Sequence, residues 1–436
     1  FQSYGAQPYR LIEFCIANRL HYFDLCDDAA FTSGVVRFDA EAKKAGVTII
    51  SGASSVPAIS AAVVADLSTQ FTQIDSIELA ILPGNRAPRG WSVIASILSQ
   101  VGLPLRLWRD GAWKTSRAWD EPETYMLAPG VRRTARLIGA PDLELFPERF
   151  KARSVVFRAG MELSALNLAL SVYAALRRLG VLKPWRWFVS VSQAIAGATE
   201  AFGSDRGGMI VSVVGEQASG WIERRWTLLA EAGEGPFIPA TPIRAYTRKL
   251  KQLSPGARPA IFDLSLNDIA SAMSDLAISS SVSEQARCTL FERVLGASFG
   301  LLPEEVRSLH AVQRETVFLG RGVVERGTHL VAALIAAVLG FPKDAQSIPV
   351  KVTITPNQNG ETWIRDFAGR KFRSHLSQRR NTPTAIITER FGAMAFDLPL
   401  VVNDNALEFP VLKGRVLGIP IPRFLLPKSE AHEFVR

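Results

Sequence analysis

One stretch constrains the chain more than any other: residues 47–67, VTIISGASSVPAISAAVVADL. Val47, Ile49 and Ile50 run with little polar alternation between Gly46 and Gly52, the pattern of a parallel strand buried on both faces. Ser54 and Ser55 are of the type that caps helix N-termini, and Pro57 suits a first helical turn. Ile59, Val63, Val64 and Leu67 then give the helix an apolar face. A strand passing through small residues into a helix start leaves backbone N–H groups facing a crevice where a ligand can sit. The plainer reading is a βα unit that packs a core.

The flanking sequence extends the pattern. Residues 6–20 read as a helix with Leu11, Ile12, Phe14 and Cys15 inward, 21–25 as a short strand and 38–45 as the end of a further helix. Helix and strand alternating over about 70 residues predict a parallel sheet with helices on its faces. Residues 77–82 read as another strand and 90–101 as a helix. Then the pattern changes. Residues 105–114 read as a hairpin turning at Asp110-Gly111, and 209–214 and 221–230 as antiparallel strands joined near Ser219-Gly220. Residues 254–259 read as a loop and the serine-rich 277–285 as a linker. Two helices (286–299 and 303–311), a strand near 316–320 and an apolar helix over 330–339 come next. From Val350 the chain alternates as antiparallel strands, with a turn at Asn359-Gly360.

Composition bounds the function classes. A 436-residue chain that is 47% hydrophobic and 21% charged is globular, with two or three domains expected. No uncharged apolar run reaches about 18 residues, so no spanning helix is expected. Cys15, Cys26 and Cys288 form no CxxC pair and have no nearby His to complete a zinc set, so no metal is expected and a reduced, cytoplasmic setting is. The net charge of +9 admits nucleic acid, an acidic membrane surface or a phosphorylated ligand. The densest basic cluster, Arg365, Arg370, Lys371, Arg373, Arg379 and Arg380 with Phe367 and Phe372, falls on apparent hairpin strands whose outer faces carry charge anyway. Nucleic-acid binding is therefore not expected.

Residues 163–179 are the most apolar helix, with Ser164, Asn167 and Ser171 as one narrow polar stripe. The segment is too short to cross a bilayer. With Lys183-Pro-Trp-Arg-Trp187 after it, the helix reads either as a buried core element or as part of a lobe that meets a membrane surface or lines a lipid-sized pocket. Gly296-Ala-Ser298-Phe-Gly300 has the spacing of a hydrolase nucleophile elbow but follows helical, not strand, periodicity. Gly320–Gly327 has Glu325 where a dinucleotide loop needs a third glycine, and reads as a turn and helix start. The five histidines form no ligand spacing. The loop 203–208 can set Arg206 against an anionic group, or close on itself through Asp205.

Phe1-Gln-Ser-Tyr4-Gly5, Cys15-Ile, His21-Tyr-Phe-Asp24-Leu25, Ala42–Val47 and Ser51–Pro57, in that order, resemble the second half of the nucleotide-binding domain of the saccharopine-dehydrogenase-like family. Pro83-Gly-Asn-Arg86, Phe202–Gly208 and Trp226-Thr-Leu228 resemble its bacterial members and their inserted lobe. The resemblance implies a partial Rossmann domain at 1–72, an inserted mixed or antiparallel lobe at 73–235, and returning helices with a linker at 236–283. A separate antiparallel α+β domain follows at 284–436, so the fold class expected is α/β then α+β. That last part resembles a bacterial domain of uncharacterised function through Val324–Gly327, Arg365-Asp-Phe, Phe372-Arg-Ser and Glu389–Gly392. The resemblance implies an oxidoreductase using NADP or NAD, NADP ahead. Cofactor contacts would come from Phe1, Gln2, Tyr4, Gly52, Ala53, Ser54, Ser55 and Pro57, and Tyr4, Asp24 and Arg206 are the catalytic candidates. The family's Gly-rich phosphate loop lies before the segment that Phe1 begins, so the chain reads as starting internally. The apolar lobe points to a hydrophobic, lipid-like substrate and to contact with the inner membrane face. The alternative is a non-catalytic membrane-surface or lipid-binding protein on the same scaffold.

Overall fold

The computed structural model describes residues 9–88, 90–181, 186–218, 220–324, 345–357, 360–378, 385–403, 406–422, 426 and 432–433. The chain divides into two units, Phe1–Ala286 and Arg287–Arg436. Its fold class is α/β followed by α+β.

In the first unit, helix α1 (Arg10–Ala17) buries Ile12, Cys15 and Ile16, an i, i+3, i+4 face. Leu11 and Phe14, expected inward, lie off that face and are exposed. Strand β1 (Tyr22–Phe23), helices α2 (Ala29–Gly34) and α3 (Asp39–Ala45) and strand β2 (Thr48–Ser51) follow, with β1 and β2 paired in parallel. All four residues of β2 are buried, as its unbroken apolar character requires. The segment after it departs from the capping pattern. Ser54 makes no side-chain cap, and Val56 is extended (φ −127°, ψ 128°) inside an otherwise helical turn. A residue before proline is pushed out of the helical region, so Pro57 holds the helix start beyond Ser54 and Ser55. Regular helix α4 runs Ser60–Leu67.

The lobe comprises β3 (Gln73–Leu82), α5 (Trp91–Gln100), β4 (Pro104–Arg109), β5 (Ala112–Arg117), β6 (Glu123–Ala128), β7 (Val131–Leu137), α6 (Asp142–Phe150), β8 (Ser154–Met161), α7 (Ser164–Arg178), α8 (Arg186–Ala198), β9 (Gly207–Gln217) and β10 (Gly220–Ala230). Asp110 and Gly111 both have positive φ (54° and 74°), the turn that hairpin β4–β5 needs. β3 and β8 are parallel while β3–β9 and β9–β10 are antiparallel, so the sheet is mixed. Helices α4 and α6 cover one face, packing Val63, Val64, Leu67 and Phe146 against Ile77, Leu79, Val211, Val213 and Trp226.

Two segments that read as irregular from sequence are strands. After α9 (Thr241–Lys249), β11 (Gly256–Pro259) pairs in parallel with β2 and completes a three-stranded sheet in the order β1-β2-β11. Its sequence, GARP, has no strand propensity, and only the return of the chain from the lobe supplies its partner. After α10 (Leu266–Ala272), β12 (Ile278–Ala286) pairs antiparallel with β10 along its full length, in place of the expected linker. Both of its faces are largely exposed, so no apolar alternation marks it.

In the second unit, α11 (Leu290–Leu295) and α12 (Glu304–His310) accompany an antiparallel sheet. It opens in the order β13 (Thr316–Val324), β14 (Ala345–Asn357), β15 (Gly360–Phe367), β16 (Arg370–Gln378), β17 (Ile386–Phe391) and β18 (Met394–Pro399). Phe291, Trp363, Leu376 and Ile387 lie in its core. Gly320–Val324 is the second half of β13, not a turn and helix start; its glycines pair across to β14. Ser298 sits in a 3-10 turn after α11, so the strand a nucleophile elbow requires is absent from its described surroundings. The predicted helix 330–339, the Asn359 turn, Arg379 and Arg380 lie outside the described residues. Among those described, no helix is long and apolar enough to cross a membrane.

Candidate functional site

At the C-terminal end of the parallel sheet, Asp24 ties two loops together. Its Oδ1 accepts from the Cys26 N–H (2.9 Å), the Gly52 N–H (2.8 Å) and the Ser51 hydroxyl (2.9 Å). Its Oδ2 is buried and accepts no hydrogen bond of good geometry. Burial first, then the adjacent Asp24 carboxylate, push the Tyr22 phenol above its usual range. Burial also pushes the Cys26 thiol up to about 12, which removes it as a nucleophile. Gly52 has φ +81°, and a Cβ there would stand 2.7 Å from Pro57 Cδ. Glycine is required at that turn.

Gly52, Ala53, Ser54, Ser55 and Pro57 are all buried. The start of α4 carries a carboxyl of the chain itself, because the Ser60 hydroxyl bonds to Asp142 Oδ1 from α6. Burial pushes Asp142 up to about 7. A side chain of the protein thus already occupies the helix start where a diphosphate would bind. Phe1, Gln2 and Tyr4 lie outside the described residues.

A second cluster joins motifs that are far apart in sequence. Glu162, just after β8, accepts from the backbone N–H groups of Asn85 (2.7 Å) and Ser204 (2.9 Å), from the Ser204 hydroxyl (2.8 Å) and from Arg133 Nη2 (2.7 Å). Burial opposes its ionisation, but these donors outweigh burial and hold the carboxyl below its usual range. The loops 83–86 and 202–208 meet here so closely that a Cβ on Gly203 would fall 2.1 Å from Asn85 Cβ. Arg206, expected to meet an anionic ligand, pairs with Glu231 at 2.9 Å. Arg206 and Asp24 thus belong to different clusters.

Helix α7, read from sequence either as a buried core element or as part of a lobe that meets a membrane or lines a pocket, is only partly buried. It buries only Asn167, Tyr173 and Ala174, while Leu168, Val172 and Leu179 are 66%, 52% and 76% exposed. Of the polar stripe only Asn167 is buried, and Ser164 is exposed: the Asn167 amide donates to the Met161 carbonyl (2.8 Å) and accepts from its N–H (3.2 Å), beside the inward Leu170, Tyr173 and Ala174. Between α5, α7 and α8 lies an apolar pocket of ≈ 150 Å³. Ile94, Ile97, Leu98, Met161, Leu170 and Phe188 line it, and Tyr173 and Ser192 bring its only polar side-chain atoms. Such an apolar lining suits a hydrocarbon guest. Met161 and Ile195 line the pocket beside the Glu162 cluster, since Asn85 Nδ2 bonds to the Thr199 carbonyl one turn beyond Ile195 (2.6 Å).

Sequence reasoning reaches α7 and both loops of the Glu162 cluster but misses Glu162, Arg133, Asp142 and the α5 and α8 walls. Glu162 is a single acid at a strand end, and nothing local distinguishes it.

Residues 302–436 match the model of a domain of unknown function, DUF4166. No curated protein matches the chain. The match lies within the second unit and carries no activity to the first.

Proposed function

We propose that the first unit binds a hydrophobic, lipid-like molecule between α5, α7 and α8, on a saccharopine-dehydrogenase-like scaffold. The observation that carries this reading is the pocket: its wall is almost wholly apolar, and it opens at the surface beside a charged cluster. A pocket of apolar walls with few convergent polar groups is the default binding-site hypothesis. The test is titration of a dansyl-labelled fatty acid in vesicle-free buffer against wild-type protein and Ala196→Phe, which fills the pocket from α8. Saturable blue-shifted emission is expected for the wild type and its loss for the variant. Equal binding by both ends the reading.

The second reading is an NAD(P)-dependent oxidoreductase acting on that same molecule. It is favoured by the parallel sheet β1-β2-β11 and by the buried Asp24 Oδ2 at its C-terminal end, where ligands bind in open α/β sheets. Asp142 counts against it by packing at the start of α4, where a diphosphate would sit. The buried turn 52–57 offers no open cradle either, so the geometry supports no hydride step. Quenching of protein fluorescence by NADPH, with Asp24→Asn as control, tests it. The absence of saturable quenching in the intact protein removes it.

A further inference from the structure

We infer that the exposed apolar faces of α7 and α8 dock on an anionic lipid bilayer, from which the pocket between them is loaded. The inference rests on the hydrophobic-ligand reading and adds a surface and a partner to it. Leu168, Val172 and Leu179 form one outward stripe on α7, and Val191 and Ile195 form another on α8, at 43% and 49% exposure. Single exposed hydrophobes need no explanation, but two helical stripes side by side do. A second observation connects them to the pocket. Val93 and Ile195 line it and are themselves exposed (43% and 49%), so the mouth opens on the same apolar surface.

Charge selects the occupant. From Leu163 to Thr199 the sequence contains no Asp or Glu, and it contains four basic residues, Arg177, Arg178, Lys183 and Arg186. Arg177 rests on the carbonyls of Leu98, Ser99 and Val101 and so keeps its net charge, whereas Arg178 pairs with Asp120. An apolar stretch of sequence that carries cations and no acid of its own is the interfacial pattern for acidic headgroups.

Two measurements test this with the intact protein. The first is flotation with vesicles of phosphatidylcholine alone or with about a quarter phosphatidylglycerol. Wild-type protein should float with the mixed vesicles and lose binding as salt rises. The double substitution Leu168→Glu, Val172→Glu should lower partitioning at least about tenfold, from the loss of two buried side chains. Both residues are exposed, so its melting temperature should hold. The second places an environment-sensitive fluorophore on Val172→Cys in a Cys288→Ser background. A blue shift with mixed vesicles and none with phosphatidylcholine alone is expected.

The proposal falls if wild type ignores the mixed vesicles or if the label at 172 stays in water. It falls equally if the double variant floats unchanged, or if it only converts a dimer to a monomer, which would make the face a contact between copies of this chain. Fatty-acid binding in vesicle-free buffer separates the two claims. Intact binding there with failed flotation sinks the membrane face alone, and loss of that binding sinks the pocket.

Discussion

Replacing Asp142 by Asn should remove a loss of stability that the wild-type protein suffers between about pH 4 and pH 7. The Ser60 hydroxyl has one proton and two oxygen neighbours, the Pro57 carbonyl at 3.0 Å and Asp142 Oδ1. If Ser60 donates to Pro57, the acid must donate to Ser60, which requires the carboxyl to be protonated. Burial, opposed only by the Ser60 bond and the residue's own backbone N–H, pushes it from 3.8 to about 7. A carboxyl with a raised native pKa binds its proton more tightly when folded. Its contribution is therefore fully present below about pH 4 and lost as pH rises through about 7. At about 1.4 kcal/mol for each tenfold change in proton affinity, that rise makes the loss about 4 kcal/mol. The asparagine keeps a donor toward Ser60 and cannot ionise. Urea unfolding followed by circular dichroism should find the variant within about 1 kcal/mol of wild type near pH 5 and several kcal/mol more stable near pH 8. Parallel pH profiles for the two proteins would refute a buried neutral acid at this position.

Three shorter predictions test the other clusters. Glu162→Ala takes the carboxylate partner from Arg133 and the acceptor from two backbone N–H groups, so it should cost about 3–5 kcal/mol and open the 199–206 loop to protease. A melting temperature equal to wild type would contradict this. Gly203→Ala puts a methyl into Asn85 and should cost about 1–3 kcal/mol, read by thermal melting; a neutral result would mean the loops are not in contact. Of the three cysteines, Cys288 is exposed while Cys15 and Cys26 are buried with raised pKa values, so Ellman's reagent should find one thiol in the native protein and three after denaturation. Two fast-reacting thiols would disprove the burial.

The elements legible in the sequence are those whose signal is local. The β2 run, the Asp110-Gly111 turn and the β9–β10 pair all carry their pattern within a few residues. β11 and β12 are hidden because their partners lie far away, β2 some two hundred residues upstream and β10 across a helical excursion. Edge and return strands need no hydrophobic alternation of their own, so composition gives them away as loops. The capping serines mislead for a related reason. Ser54 and Ser55 have the right chemistry for an N-cap, but the conformation that proline imposes on Val56 moves the helix start past them. At the candidate site the loops are visible as glycine-rich motifs, whereas the carboxylate that joins them is not. A clamp residue is defined by what it reaches in space, and Glu162 reaches donors 77 and 42 residues away.

Helix α7 shows where periodicity stops being informative. A 3.6-residue pattern separates a polar from an apolar face but does not say which one meets the protein. Here the helix buries Tyr173 and Ala174 and sets Leu170 in the pocket, while Leu168 and Val172 on its other side stay exposed. One interaction that holds this orientation is the two-way bond of Asn167 to Met161 at the end of β8, where Met161 also stands in register with Thr134 of β7. Leaving such bonds unmade costs about 1–3 kcal/mol each, comparable to what an exposed leucine gains by burial. Asn167→Leu separates the two accounts. If apolar area governs the orientation, the substitution should be neutral or stabilising, since position 167 is buried. If the Asn167 bond governs it, the variant should lose about 2–3 kcal/mol, and the Met161 amide should exchange with solvent far faster than its β8 neighbours. A stable variant with a protected Met161 amide would overturn the polar account of why this helix faces outward.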